Sequence, residues 1–314
     1  MDPGHFFASS RVLIVAGKGG VGKTVTAATI ATAASRCGLS VLLVEVSGRS
    51  AAAPMFETEG QGYEEAVLVR AAEGHGEIRS RSLTPDQALI EWLSGHGFHR
   101  IVKRMTKSGL LEVVATATPG IKDLLVFGRI KALETARAAD LIVVDAPAAG
   151  HALGFLRSPA AVREAARSGT IHRQAVEVME LIGDPSRCQV MLVTIPEETP
   201  INELIETSFA VEDEVGVKLG PVVVNSVLPR IEGLEQRLRW AKCSAAERTD
   251  LATAADFRRG RTALQDQQLQ RLGSELPLPQ IRLPQVFGTE IGPAELSHLA
   301  DRMLAEIESL EDLS

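Results

Sequence analysis

Arg11-Val-Leu-Ile-Val-Ala16-Gly17-Lys18-Gly19-Gly20-Val21-Gly22-Lys23-Thr24-Val25 is the stretch on which the fold turns. The unbroken apolar run up to Ala16 predicts a strand buried on both faces. Gly17 to Thr24 fit G-x-x-x-x-G-K-[ST], and the Ala/Thr-rich run from Val25 to Ser35 predicts the helix that follows. Strand, glycine loop and helix in that order make a phosphate cradle. The glycines let successive amides curl around a β-phosphate, and the helix N-terminus adds partial positive charge. Lys23 would reach the β/γ oxygens and Thr24 would ligate Mg2+. The expected phosphate-binding set is therefore Gly17, Gly19, Gly20, Val21, Gly22, Lys23, Thr24 and Val25.

Outward from this loop, short β-branched runs recur at Ser40 to Val46, Leu141 to Asp145, Gln189 to Thr194 and Pro221 to Asn225, separated by helical stretches. Alternating strands and helices predict an α/β fold, a parallel sheet flanked by helices, with ligands bound beyond the carboxyl ends of the strands. Asp145 closes the apolar run Leu141-Ile-Val-Val and is the candidate to hold the Mg2+ water shell beside Thr24. Between about 85 and 140 the pattern turns to helix after helix, opened by the cap signature Thr84-Pro85-Asp86-Gln87. A second charged helical stretch spans about 231–272, interrupted around Ser244. These features predict an N-terminal tail (1–10) and a single P-loop domain (11–310) with a helical insertion at about 85–140.

Composition narrows the function classes. With 314 residues, 45% hydrophobic and 23% charged, the chain has material for a core and is not a disordered polymer. A formal charge of -7 and 4% aromatics argue against direct nucleic-acid binding. No apolar stretch approaches the ~18 residues of a membrane span, and Met1 to Ser10 lack signal-peptide order, so a cytoplasmic protein is expected. Cys37, Cys188 and Cys243 are too scattered for a disulfide framework or a C-x-x-C zinc site, and read as small buried thiols.

Lys18 sets this loop apart, because two lysines on one tight loop repel unless an anion lies between them. GKGGVGKT resembles the deviant P-loop of the ATPase class that includes MinD, ParA, the nitrogenase iron protein and the arsenite-pump ATPase ArsA. The resemblance implies ATP with Mg2+ and a dimer closed across the nucleotide, in which Lys18 reaches the partner's nucleotide. The segment Asp145-Ala-Pro-Ala-Ala-Gly-His-Ala-Leu-Gly-Phe-Leu156 narrows this further. It resembles a segment of ArsA and of the tail-anchored-protein targeting ATPase, with Gly150, His151, Leu153, Phe155 and Leu156 matching. In that family it is a switch that follows the γ-phosphate. Asn225, with Pro229 shortly after, resembles the family's adenine-binding V-N-x-x-x-P, although an ordinary strand-end turn also accounts for it. Ile195-Pro196-Glu197 and Pro119-Gly120-Ile121-Lys122-Asp123 resemble two further elements, and Pro284 joins the implied nucleotide-binding set.

The departures are equally specific. Where the family has S-T-D-P-A-H, with an Asp that handles the attacking water, this chain reads Glu45-Val-Ser-Gly-Arg-Ser50 and places Ser47 at the Asp. Serine cannot be that base. Glu45 is the substitute catalytic candidate beside Lys18 and Lys23, and reads equally as a partner for a core polar group. Ala149 and Gly154 replace the switch's Thr and Arg, and no zinc is implied. Actinobacterial members, with V-E-x-x-G-R, are the most similar. The resemblance therefore implies an ATPase subunit of a homo- or heterodimer, coupling ATP state to a protein or transport client that includes hydrophobic or membrane proteins. The alternatives are a non-hydrolysing nucleotide-binding scaffold and a MinD/ParA-type positioning ATPase. Against the latter, the amphipathic stretch from Leu296 to Leu313 is acidic.

Overall fold

Eight strands make one sheet: β1 (Val12–Gly17), β2 (Val41–Glu45), β3 (Ala66–Val69), β4 (Ile78–Ser82), β5 (Leu141–Asp145), β6 (Cys188–Thr194), β7 (Val222–Val227) and β8 (Gln280–Pro284). Their spatial order is β3-β4-β2-β5-β1-β6-β7-β8. Every pairing is parallel except the edge pair of β3 with β4. The computed structural model describes residues 1–46, 50–59, 63–95, 120–147, 152–234 and 244–310.

The period-two alternation of each strand sorts its side chains onto two faces. Leu13, Val15, Val41, Leu43, Leu141 and Val143 face α2 (Lys23–Arg36), α9 (Pro293–Glu308) and a short helical turn at Ala53–Phe56. Val12, Ile14, Leu42, Val44, Ile142 and Val144 face α4 (Ile121–Thr135), α5 (Ala152–Ala165), α6 (Thr170–Gly183) and α7 (Glu198–Ala210). Helices on both faces of a parallel sheet are the α/β P-loop architecture. At the far end of the sheet from the loop, Glu134 on α4 is buried and bonds Arg187 (2.7 Å) and Arg11 (3.3 Å), tying the entrances of β6 and β1 to one helix end.

All five strands expected from their apolar runs are present within two residues of their expected ends. Three others were not legible. β4 reads Ile78-Arg-Ser-Arg-Ser82, yet Ser80, Arg81 and Ser82 are buried. Tertiary partners permit this: the Arg81 guanidinium lies 4.8 Å from the centre of the Tyr63 ring and 3.6 Å from Glu65. β3 and β8 are sheet edges with partly polar patterns.

Residues 1–10, expected as a tail, instead contain helix α1 (Pro3–Ala8). Asp2 caps it by accepting from the His5 amide (2.7 Å), Phe7 is buried, and the Met1 amino group donates to the Leu310 carbonyl (2.8 Å). The expected insertion begins with α3 (Pro85–Gly95), where the Gln87 amide donates to Thr84 Oγ1 (3.4 Å), and residues 96–119 lie outside the described residues. The interruption around Ser244 is the start of a 31-residue helix, α8 (Ala245–Glu275), with Ser244 as N-cap and Glu247 completing a capping box. The apolar face of α9, formed by Leu296, Leu299, Met303 and Ile307, packs into the core. No helix among the described residues is long and apolar enough to cross a membrane.

Candidate nucleotide site

The glycine loop leaves β1 at Gly17 and enters α2 at Lys23. Its curl needs backbone that L side chains avoid, with φ of 156° at Gly17, 86° at Gly20 and 89° at Gly22. Space is also short. A Cβ on Gly17 would sit 2.3 Å from the Val193 carbonyl oxygen, and one on Gly22 would sit 2.2 Å from Asn225 Nδ2. Gly19 and Gly20 stay exposed, while Val21 is buried as the loop's anchor and Val25 packs partly into the core.

Lys23 is 8% exposed, and its ammonium donates to the Lys18 carbonyl at 3.2 Å. Burial holds its pKa below the usual lysine value, partly offset by the carboxylate of Asp145. Thr24 Oγ1 donates to Asp145 Oδ2 at 2.6 Å, so the two expected magnesium ligands meet. Burial pushes the Asp145 carboxyl upward, against the pull of Thr24 and of Lys23. Its second oxygen, Oδ1, is buried with no hydrogen-bond partner. An orphaned carboxylate oxygen is costly in a protein interior. Beside a threonine hydroxyl at a phosphate loop, it fits a hydrated Mg2+, which Thr24 and Asp145 would hold.

Lys18 pairs with Glu203 on α7. A cavity of about 410 Å3 lies beside this pair, lined by Gly17, Ala152, Leu192, Val193 and Leu204 among others. No motif announces Glu203. The signal was charge balance, since two loop lysines call for counter-ions whose positions only the fold supplies.

Asn225 Nδ2 donates to the Val21 carbonyl at 3.0 Å, bracing β7 against the loop. On the outer side of Gly20, a cleft of about 480 Å3 is lined by Pro196, Ser226, Leu228, Gln265 and Gln285, with the Glu197–Arg261 ion pair (2.9 Å) among its walls. Gln265 Oε1 accepts from the Leu228 amide at 2.8 Å. Pro284 ends β8 and lines a different cavity of about 460 Å3 with Val227, Pro229 and Arg230, so these two cavities do not bring it together with the loop glycines.

Glu45, the candidate base, is 1% exposed and has its oxygens engaged elsewhere. Oε1 accepts from the amides of Ala51 (2.6 Å) and Ala52 (2.9 Å), and Oε2 from the Ser50 hydroxyl (3.2 Å). Burial pushes its pKa up, the hydrogen bonds from Ala52, Ala51 and Ser50 oppose this, and the neighbouring Asp145 adds to the rise. Ser47, Ala149, Gly150 and His151 lie outside the described residues. Of the other switch matches, Phe155 and Leu156 are core residues, with Phe155 stacked on Phe127 at 4.2 Å.

Comparison with known proteins agrees with this geometry. A family model described as anion-transporting ATPase matches residues 10–179, a span that holds the glycine loop, Glu45 and Asp145. The chain is 34% identical over 230 residues to ATPase BagA of Mycobacterium tuberculosis, covering 70% of this chain and 66% of that protein. It is 29% identical over 157 residues to the ATPase get3 of Schizosaccharomyces japonicus, covering 50% of this chain and 46% of that protein. The chain thus spans just under two thirds of the length of the mycobacterial relative. With its glycine loop, the Thr24–Asp145 bond and its sheet in the arrangement described, the chain belongs to the anion-transporting ATPase family.

Proposed function

We propose that this chain binds Mg-ATP at the Gly17–Thr24 loop and acts as a cytoplasmic ATPase subunit, dimeric across the nucleotide, that couples ATP state to a protein or transport client. The observation that carries the reading is the Thr24–Asp145 bond with Asp145 Oδ1 left unpartnered at the mouth of the loop. The names of its relatives, ATPases both, support the activity. Loop amides and the Lys23 ammonium would take the β- and γ-phosphate oxygens, and Thr24 and Asp145 would hold the cation, which when bound neutralises charge building on those oxygens. Asn225 holds the loop in shape through Val21. For Lys18 to serve a partner's nucleotide it must leave Glu203. Whether the partner is a second copy or a homologous subunit is decided by which of the two restores turnover.

A non-hydrolysing nucleotide-binding scaffold is the second reading, favoured by one observation. The Glu45 carboxylate at the end of β2 accepts from Ser50, Ala51 and Ala52, so both of its oxygens are already bonded to protein donors. Losing a positioned base lowers turnover by ~10²–10⁴-fold. Mg-ATP binding and single-turnover hydrolysis by the purified chain, with Lys23→Ala as blank, separate the two. Hydrolysis above the blank supports the ATPase, binding without hydrolysis supports the scaffold, and no binding sinks both.

A further inference from the structure

We propose that Glu45 is a positioning residue that fastens the segment at Ser50–Ala52 to the strand end beside the metal carboxylate, so that cation occupancy at Asp145 tightens this fastening. The proposal rests on reading the Thr24–Asp145 pair as the cation site.

The placement follows from sheet register. Glu45 pairs with Asp145 on one side and with Ser82 on the other. Paired residues of parallel strands project to the same face, so Ser82, Glu45 and Asp145 form a row at the carboxyl edge of the sheet. Both flanks of this row carry an unpartnered buried oxygen, Ser82 Oγ and Asp145 Oδ1. Glu45, between them, has both oxygens bonded, and all three of its donors come from one short segment. That segment leads directly into the helical turn at Ala53–Phe56, whose Ala53 is buried against the same core as α2.

A carboxyl group at this position calls for an explanation. Two amides on one oxygen need only a carbonyl, and glutamine would supply it without the cost of burying a second carboxylate beside Asp145. The charge gains a use once a divalent cation sits on Asp145. Glu45 then adds to the attraction for the cation, and the cation removes the repulsion between the two carboxylates. The bonds to Ala51 and Ala52 strengthen as a result. Glu45 does not act on water in this account, since its oxygens serve the backbone.

Hydrogen exchange at the amides of Ala51 and Ala52 tests the anchor, in apo chain and with Mg2+ plus a non-hydrolysable ATP analogue. Glu45→Ala should speed their exchange by about tenfold or more, as for an amide freed from its bond. Glu45→Gln, which keeps the acceptor and the shape, should retain most of the protection. It should nevertheless raise the Mg2+ needed for half-maximal nucleotide binding by about fivefold, the scale of losing one nearby charge in a well-screened site. In wild type, protection should increase on adding Mg2+ with the nucleotide, and in Glu45→Gln this increment should shrink. If exchange in Glu45→Ala matches wild type, the anchor is wrong. If Glu45→Gln shows wild-type Mg2+ dependence, the link to the cation is wrong. The apo measurement stands even if the chain binds no nucleotide, so failure of the anchor is distinguishable from failure of the nucleotide reading.

Discussion

Thr24 Oγ1 and Asp145 Oδ2 lie 2.6 Å apart although 121 residues separate them in the chain. Thr24 is in the first turn of α2 and Asp145 closes β5, and pairing of β1 with β5 brings the two ends together. The carboxylate is buried and half-satisfied, an arrangement that costs stability and that marks functional sites.

Asp145→Asn should therefore stabilise the apo chain while disabling it. Because burial raises the folded-state pKa of Asp145, the folded chain holds this proton more tightly than the unfolded one. The resulting destabilisation develops as pH rises from the ordinary carboxylate value and is complete above the raised folded-state pKa. Removing the charge should gain ~0.5–2 kcal/mol, the usual yield of relieving a functional site. Thermal melts at neutral pH should show a higher apo midpoint and no further rise with Mg-ATP. A lower apo midpoint would contradict this account.

The two loop lysines should separate by role. Lys23→Ala removes a buried ammonium aimed along the loop and should weaken ATP binding by about tenfold or more. Lys18→Ala should leave affinity within about threefold while lowering turnover on the order of 10³-fold, as for a cation supplied in trans. Titration calorimetry and single-turnover assays read the difference, and equal loss of affinity in both variants would count against a trans role.

Glu203→Gln should free Lys18 at little cost. The pair is partly exposed, with side chains 35% and 42% accessible, so it is worth about 0–1 kcal/mol after solvent screening. ATP-dependent dimerisation measured by analytical ultracentrifugation should strengthen by up to about fivefold. Weaker dimerisation would mean that Glu203 supports the closed form rather than restraining the open one.

Gly22→Ala tests the loop geometry. The new methyl would need the left-handed conformation at φ 89° and would displace the Asn225 amide from Val21. The strain should cost about 1–2 kcal/mol and abolish nucleotide-dependent stabilisation. Asn225→Ala, which removes the brace but not the glycine, should cost about 0.5–1.5 kcal/mol and weaken binding less.

Glu134→Gln should flatten the acid limb of stability. Hydrogen bonding to Arg187 leads the depression of the Glu134 pKa, with the charges of Arg187 and Arg11 adding to it against burial. A depressed folded-state pKa contributes stability that is present above the unfolded carboxylate pKa and lost as pH falls through the folded value. Urea midpoints from neutral pH to about pH 3 should fall less steeply in the variant, which starts about 1–3 kcal/mol lower. Parallel acid limbs would remove Glu134 from this role.

The sequence by itself determined the five central strands and the glycine loop, because these rest on local regularities, and it named Thr24 and Asp145 as candidate magnesium ligands from the motif and the strand end. An apolar run buried on both faces can only be an inner strand, and a glycine at each tight turn of a phosphate loop leaves little choice of backbone. Only the tertiary structure decided what polar residues far apart do for one another. Ile78-Arg-Ser-Arg-Ser82 is a strand because Tyr63 and Glu65 accommodate its arginine. Lys18 is held by Glu203, and Asn225 braces Val21. Glu45, read from the sequence as a base or as a core partner, serves the backbone at Ala51 and Ala52. Hydrophobic periodicity writes burial into every few residues, whereas a hydrogen bond between distant side chains leaves no periodic trace and exists only once the sheet sets the register.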